Sequence, residues 1–261
     1  MKARSPIVRI DQMSFAYSAD GPEVLTDFNW EFPQGTVTAL LGPNGSGKTT
    51  LLNLVLGWLS PTAGCVRVNG RDRAETTRRD WSREVGLVPQ EEPPVFELGL
   101  LEYTLLGRAP YLGLLERPGV KDRKAAEAAL ERTGLMKLWS RPVNALSGGE
   151  RQLAAIARVL AQDPSVLLLD EPMSHLDLGN TRRILHILKS LRRDGKSVIL
   201  TTHEPNIAAV LADEAVLLKE GRILAGGSAA SVLNAENLSA TYGVEVDVRT
   251  IDNRLFILPR L

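Results

Sequence analysis

The chain has 261 residues, with 31 lysines and arginines balancing 31 aspartates and glutamates, and one cysteine, Cys65. That length supports a core without disulfides. The even charge gives no electrostatic case for nucleic acid or an anionic membrane, and a lone cysteine packed in a strand excludes a disulfide framework or cysteine-cluster metal site and fits a reducing compartment. No window approaches the roughly 18 apolar residues of a membrane span, and the first residues lack the apolar core of a secretory signal, so a soluble, unexported chain is expected.

Residues 7–10 and 13–17, with the alternation Phe28, Trp30, Phe32, predict short strands of an N-terminal antiparallel β layer with turns at 19–22 and 33–35. Residues 36–41 predict a buried strand leading without a gap into the glycine-rich 42–48, and 48–58 are apolar nearly all round, as in a fully buried helix. Short strands follow at 65–69, closed by Asn69-Gly70, and at 85–89. From Glu91 the character changes. Two prolines, helical segments at 97–108, 122–133 and 147–162, and a Pro/Gly-punctuated connector at 109–120 predict an inserted α-helical subdomain over 91–164. In its last helix Leu153, Ile156, Ala157, Leu160 and Ala161 form one apolar stripe, which predicts one packed face and one free face.

The core resumes with strands at 166–170 and 197–202, helices at 180–193 and near 206–211, and a hairpin turning at Glu220-Gly221. On the 180–193 helix, Ile184, Leu185, Ile187, Leu188 and Leu191 face inward, while Arg182, His186, Lys189 and Arg193 form a solvated basic face. A helical patch near 235–241 and a hairpin turning at Asp252-Asn253 form the tail. The class is α/β: a core of residues 1–90 and 165–235 with a mostly parallel sheet and the antiparallel layer, the helical insert, and a C-terminal extension over 236–261.

Gly42-Pro43-Asn44-Gly45-Ser46-Gly47-Lys48-Thr49 matches the phosphate-loop pattern in the context that gives it meaning, a buried strand before it and a helix after it. Its glycines let successive N–H groups converge on phosphate oxygens at a positive helix end, Lys48 neutralises the terminal phosphates, and the Thr49 hydroxyl suits Mg²⁺. Asp170, ending an apolar strand, supplies a carboxylate for the metal. Glu171 follows at once; it fits both a residue that polarises an attacking water and a surface glutamate at a strand end. Ser147-Gly148-Gly149 opens a helix and fits both a second phosphate cradle and, with Glu150, an ordinary capping box.

With Gln90, Leu146-Ser-Gly-Gly-Glu-Arg-Gln152, Leu176-Asp177 and His203 added in order, the chain resembles the ATP-binding cassette (ABC) ATPases over residues 7–230. The resemblance implies a P-loop NTPase core, ATP and Mg²⁺ as ligands, Thr50 beside Thr49 in the nucleotide site, and Tyr17 stacking on adenine, although by residue type Tyr17 fits a core position equally. It makes Gln90 a contact to Mg²⁺ or the attacking water at the junction with the insert, and His203 the switch histidine on the terminal phosphate. His175 and His186 keep structural roles. It also implies that Ser147, Gly148 and Gly149 act on ATP held by a second copy, with Leu176 and Asp177 at the seam.

Further expectations follow from that resemblance. The chain is similar to detached ATPase subunits of bacterial importers, peripheral on the cytoplasmic face of the inner membrane, docking a separate permease through the insert and serving a substrate-binding protein indirectly. Residues 105–112 and 236–244 are similar to subunits for iron chelates, haem or cobalamin, whereas 97–103 and Met173 depart from that group. The alternatives are an exporter or other-cargo subunit, a soluble cassette ATPase, which usually carries two cassettes or a long coiled insert, and a non-hydrolysing regulator, which commonly lacks Glu171 or His203.

Overall fold

The computed structural model describes residues 5–90, 97–252 and 254–260. Strand β1 (Pro6–Ala16) runs antiparallel to β2 (Glu23–Pro33). The two short strands expected at 7–10 and 13–17 are one strand with a bulge, where Gln12 takes φ 45 and its N–H donates to Asn29 Oδ1 at 2.7 Å. The extra residue lets Ile10 and Met13, three positions apart, both face the core, which is why the period-two pattern breaks there. Next come β3 (Val37–Leu41), α1 (Lys48–Leu56), β4 (Ala63–Val68) and the short β5 (Arg71–Asp72), and the first sheet has the order β2-β1-β4-β5.

Helix α1 is shorter than the pattern predicts. Gly57 in the left-handed region, φ 79, ends it, and Trp58 lies 73 % exposed outside it rather than buried. Helix α2 (Arg78–Glu84) was not predicted, because its sequence is almost all polar; its available signal is Thr77, whose hydroxyl accepts from Asp80 N–H at 3.1 Å. Strand β6 (Val85–Val88) follows. The two prolines used to place the start of the insert lie outside the described residues.

The expected helix at 97–108 is α3 (Leu100–Leu105), continued as a 3₁₀ segment over Leu106–Tyr111. Helices α4 (Val120–Thr133) and α5 (Gly148–Gln162) complete this region. No free face exists on α5 beyond its first turn: residues 153–157 are all buried, because α3 and α4 cover one side and β6 and α6 (Leu178–Arg193) the other. Strands β7 (Val166–Leu169) and β8 (Ser197–Thr202), helix α7 (Pro205–Leu211), and strands β9 (Glu214–Lys219) and β10 (Arg222–Ser228) finish the second sheet, ordered β10-β9-β3-β8-β7-β6 and parallel except for β10.

That sheet separates two cores. Leu40, Leu168, Ile199 and Val216 belong to the core shared with α1 and the first sheet, whereas Ala39, Leu41, Leu169, Leu200 and Leu217 belong to the other, together with buried residues of α3, α4, α5, α6 and α7. Burial on both faces is the reason these strands read as unbroken apolar runs. A short helix missed by the sequence, α8 (Ala229–Val232), and α9 (Ala235–Tyr242) pack on β9 and β10. The hairpin of β11 (Val246–Ile251) and β12 (Arg254–Pro259) is pinned to α7 by Asn206, whose amide exchanges two 2.9 Å hydrogen bonds with the Ile257 backbone. Of its predicted turn, Asp252 has φ 49, and Asn253 is outside the described residues.

Candidate functional site

The glycine-rich loop leaves β3 in a backbone conformation that only glycine allows at two tight points. Gly42 has φ 156, and a Cβ there would lie 2.2 Å from Leu218 O; Gly47 has φ 99, and a Cβ would lie 2.7 Å from Leu25 Cδ2. The loop is therefore wedged between β9 and β2, while Asn44, Gly45 and Thr49 face outward and Pro43 is half-buried. The N–H groups of the first turn of α1 have no intrahelical partner, which makes this end positive. Lys48 is buried, and its Nζ donates to Gly42 O at 2.8 Å and Pro43 O at 2.9 Å. Burial lowers its pKa, and the charges of Glu171 and Asp170 oppose that shift. Ser46 Oγ is buried without a partner among the described residues, an orphan that a phosphate oxygen would satisfy.

Tyr17 is not a core residue. Its ring is 66 % exposed beside the loop, set edge-on to Phe15, and its hydroxyl shares a 2.9 Å hydrogen bond with Thr50 Oγ1. Thr50 is buried, so its hydroxyl anchors the aromatic.

The parallel register of β7 and β8, with Leu169 opposite Leu200, sets residues 170 and 171 beside 201–203. Asp170 is buried at the strand end, and its Oδ1 accepts from Thr201 Oγ1 at 2.6 Å. Glu171 has φ 43, a left-handed backbone that costs a glutamate about 1 kcal/mol, and its N–H donates to the same Thr201 Oγ1 at 2.8 Å. Its carboxylate Oε2 lies 2.9 Å from His203 Nδ1, with the glutamate side chain 13 % and the histidine 50 % exposed. The two residues, unrelated by sequence position, are thus brought into direct contact at neighbouring strand ends. Gln90 is exposed two residues beyond β6, whose Val88 O accepts from Asp170 N–H at 2.9 Å.

Among the described residues no cluster of three His, Cys, Asp or Glu could hold a metal alone. Asp170 and Thr49 are nonetheless the oxygen donors that Mg²⁺ takes together with phosphates and water, so the residues present fit a nucleotide-bound Mg²⁺.

The Ser147 cluster forms a separate surface. Ser147 Oγ accepts from Glu150 N–H at 3.3 Å, and Ser147 N–H donates to Glu150 Oε2 at 2.8 Å, holding that carboxyl below its usual pKa range. The capping box is thus present, and it leaves Ser147 and Gly148 exposed. Asn180 fills the space where a Cβ on Gly149 would sit, 2.2 Å away, and also bonds Asp177, the N-cap of α6. None of the hydrogen bonds of Ser147, Gly148 or Gly149 reaches the phosphate loop. His175 and His186 are exposed.

Three residues near these surfaces were given no role from the sequence: Thr201, Asn180 and Tyr242. The Tyr242 hydroxyl, at the end of α9, is buried, and among the described residues it completes no well-formed hydrogen bond; burial pushes its pKa up to about 12, against the opposing influence of the nearby Gly42 N–H. Lys219 Nζ, donating to Ala240 O at 2.6 Å, holds this end of α9.

The sequence model of the family described as ABC transporter matches residues 25–174. The cobalt import ATP-binding protein CbiO of Rhodobacter capsulatus is 39 % identical over 92 % of this chain and 85 % of its own length, and the hemin import ATP-binding protein HmuV of Deinococcus radiodurans is 37 % identical over 94 % of each. Among solved structures, a metal-chelate type ABC transporter in an inward-facing conformation superposes with a TM-score of 0.86 at 30 % identity, covering 98 % of both chains. The cassette MJ0796, dimeric and bound to ADP and Pi in a post-hydrolysis state, gives 0.74 at 28 % identity over 85 % of this chain and 98 % of that one. With the family model spanning more than half of the sequence and these relatives matched over most of their length, the chain belongs to the ABC transporter family, as one of its ATP-binding, ATP-hydrolysing import subunits.

Proposed function

We propose that two copies of this subunit enclose ATP between the phosphate loop of one and the Ser147-Gly148-Gly149 helix start of the other, and that hydrolysis drives uptake of a metal chelate, haem or cobalamin through a separate permease. The observation that carries the hydrolytic assignment is the 2.9 Å contact of Glu171 with His203 on strand ends adjoining the Lys48 loop. Lys48 and the free N–H groups of α1 offset charge on the departing phosphoryl, and Glu171, oriented by His203, takes a proton from the attacking water. Thr49 and Asp170 would hold Mg²⁺, with Gln90 alongside; bound there, the ion neutralises phosphate charge. Tyr17 offers a flat face for adenine.

The two-copy reading is supported by the exposure of Ser147 and Gly148 at a positive helix end, and by the dimeric state of a related cassette. Ser147→Arg costs about 1 kcal/mol of capping, which the fold survives, yet it is expected to cut turnover about 100-fold while ATP binding to the single subunit persists. Mixed with Lys48→Ala subunits, it should regain part of the activity, because one site then combines an intact loop with an intact Ser147. Absence of any recovery across mixing ratios in a phosphate-release assay would refute sharing of the site.

Of the proposed insert, residues 91–164, the described part from residue 97 on meets the core across a groove of about 900 Å³ lined by Trp58, Arg73, Arg78, Leu87, Leu106 and Pro110, among others. We assign it to a permease segment, which would place the subunit on the cytoplasmic face of the inner membrane; the substrate-binding protein would act only through the permease. Among the described residues no helix is long and apolar enough to cross a membrane. An exposed tryptophan at a docking groove is a typical anchor, so Trp58→Ala is expected to weaken permease binding roughly 30-fold. Copurified permease and uptake of haem or an iron chelate by reconstituted vesicles should fall together, with the ATPase rate of the isolated subunit unchanged. Unaltered copurification would place the docking surface elsewhere. The names of relatives, which span cobalt and hemin import, support a metal-containing cargo.

A further inference from the structure

We propose that Thr201 is a positioning residue for hydrolysis: its one hydroxyl ties the metal-side carboxylate of Asp170 to the main chain of Glu171 and thereby fixes where the Glu171 carboxylate points. The oxygen carries a single proton, which is committed to Asp170 Oδ1 at 2.6 Å, and the Glu171 N–H donates to a lone pair of the same oxygen at 2.8 Å. Thr201 is fully buried and Asp170 is nearly so, so water does not compete for these bonds.

The arrangement explains how Glu171 keeps its unusual backbone. Glu171 takes φ 43 two residues past the end of β7, and on the β8 side its N–H meets the Thr201 hydroxyl. Strain in a non-glycine residue persists where surrounding contacts over-determine it, and such residues cluster at functional sites. From the same residue the carboxylate reaches His203 Nδ1 at 2.9 Å, so a shift of the Glu171 backbone moves the carboxylate relative to histidine and phosphate together. The neighbouring Thr202 shows that this is no general habit of β8: its hydroxyl accepts from Glu204 N–H at 3.1 Å, at the start of α7.

The bland reading is that threonine stands here as a good strand former. The two readings diverge at valine, which has the same shape and equal or better strand propensity but no hydroxyl. Under the proposal, Thr201→Val lowers kcat about 100-fold, the scale of a small misplacement of a reacting group, with ATP affinity in the absence of Mg²⁺ within about twofold of wild type. The Glu171 amide also exchanges with deuterium faster in the variant. Thr201→Ser, which restores the hydroxyl, stays within about threefold of the wild-type kcat. Should Thr201→Val fail to fold, Thr201→Ala takes its place.

A wild-type kcat in either folded hydroxyl-free variant overturns the proposal. So does a serine variant as slow as the valine one, because that result assigns the role to the γ-methyl. The inference rests on Glu171 acting on the attacking water, and Glu171→Gln run alongside keeps the two apart: an unimpaired Glu171→Gln defeats that parent reading, whereas a slow Glu171→Gln beside a fast Thr201→Val defeats this inference alone.

Discussion

Lys48→Ala is expected to weaken ATP binding about 100-fold or more, which removes the signal from a calorimetric titration of the isolated subunit. The size follows from burial. Lys48 is 6 % exposed and, among the described residues, the one lysine or arginine in the buried set, with its ammonium fixed by two loop carbonyls at 2.8 and 2.9 Å. A triphosphate entering the loop would meet this desolvated charge directly, so deleting it removes the one buried cationic side chain that the loop offers the phosphate oxygens. The fold should tolerate the change, because the loop path is set by Gly42 and Gly47 and by Ser46 N–H donating to Pro43 O at 3.3 Å, none of which involves the lysine side chain. Wild-type affinity in this variant would mean that the loop does not bind the terminal phosphates.

Glu171→Gln has the second large effect. It should lower kcat about 100- to 1,000-fold, the range expected on losing a general base, while ATP still binds. A glutamine keeps an oxygen that His203 Nδ1 can approach, so the local geometry survives, but an amide does not take the proton of the attacking water. If ATP holds two copies together, uncleaved nucleotide accumulates the pair, and size-exclusion chromatography with Mg-ATP should show a dimer that the wild type forms only transiently. A wild-type rate of phosphate release would place the base on another residue.

The phosphate loop was legible because each part of it is local: a strand buried on both faces, three glycines, and a helix with a lysine at its first position follow one another without a gap. Asp170 was legible on the same grounds, as the first polar residue after four buried apolar ones. Thr77 with Asp80 carried a helix signal that the sequence reading passed over. Trp58 was misread because the apolar pattern continues past Gly57, while the left-handed glycine turns the chain out of the helix one residue earlier. The free face expected on α5 vanished because amphipathicity measures one contact surface, and this helix has neighbours on both sides.

What the sequence determined by itself is the set of reactive groups and the local backbone that presents each of them, since loops, caps and strand ends are built from residues close along the chain. What only the tertiary structure decided is which groups meet. Glu171 and His203 are 32 positions apart and come within 2.9 Å because β8 inserts between β3 and β7 in the sheet, an order that no local pattern encodes. The same adjacency hands the hydroxyl of Thr201, an unremarkable strand threonine by its sequence, to Asp170 and Glu171 at once. Pairing between distant strands is fixed by the packing of both sheet faces, and it is that packing which turns separate motifs into one site.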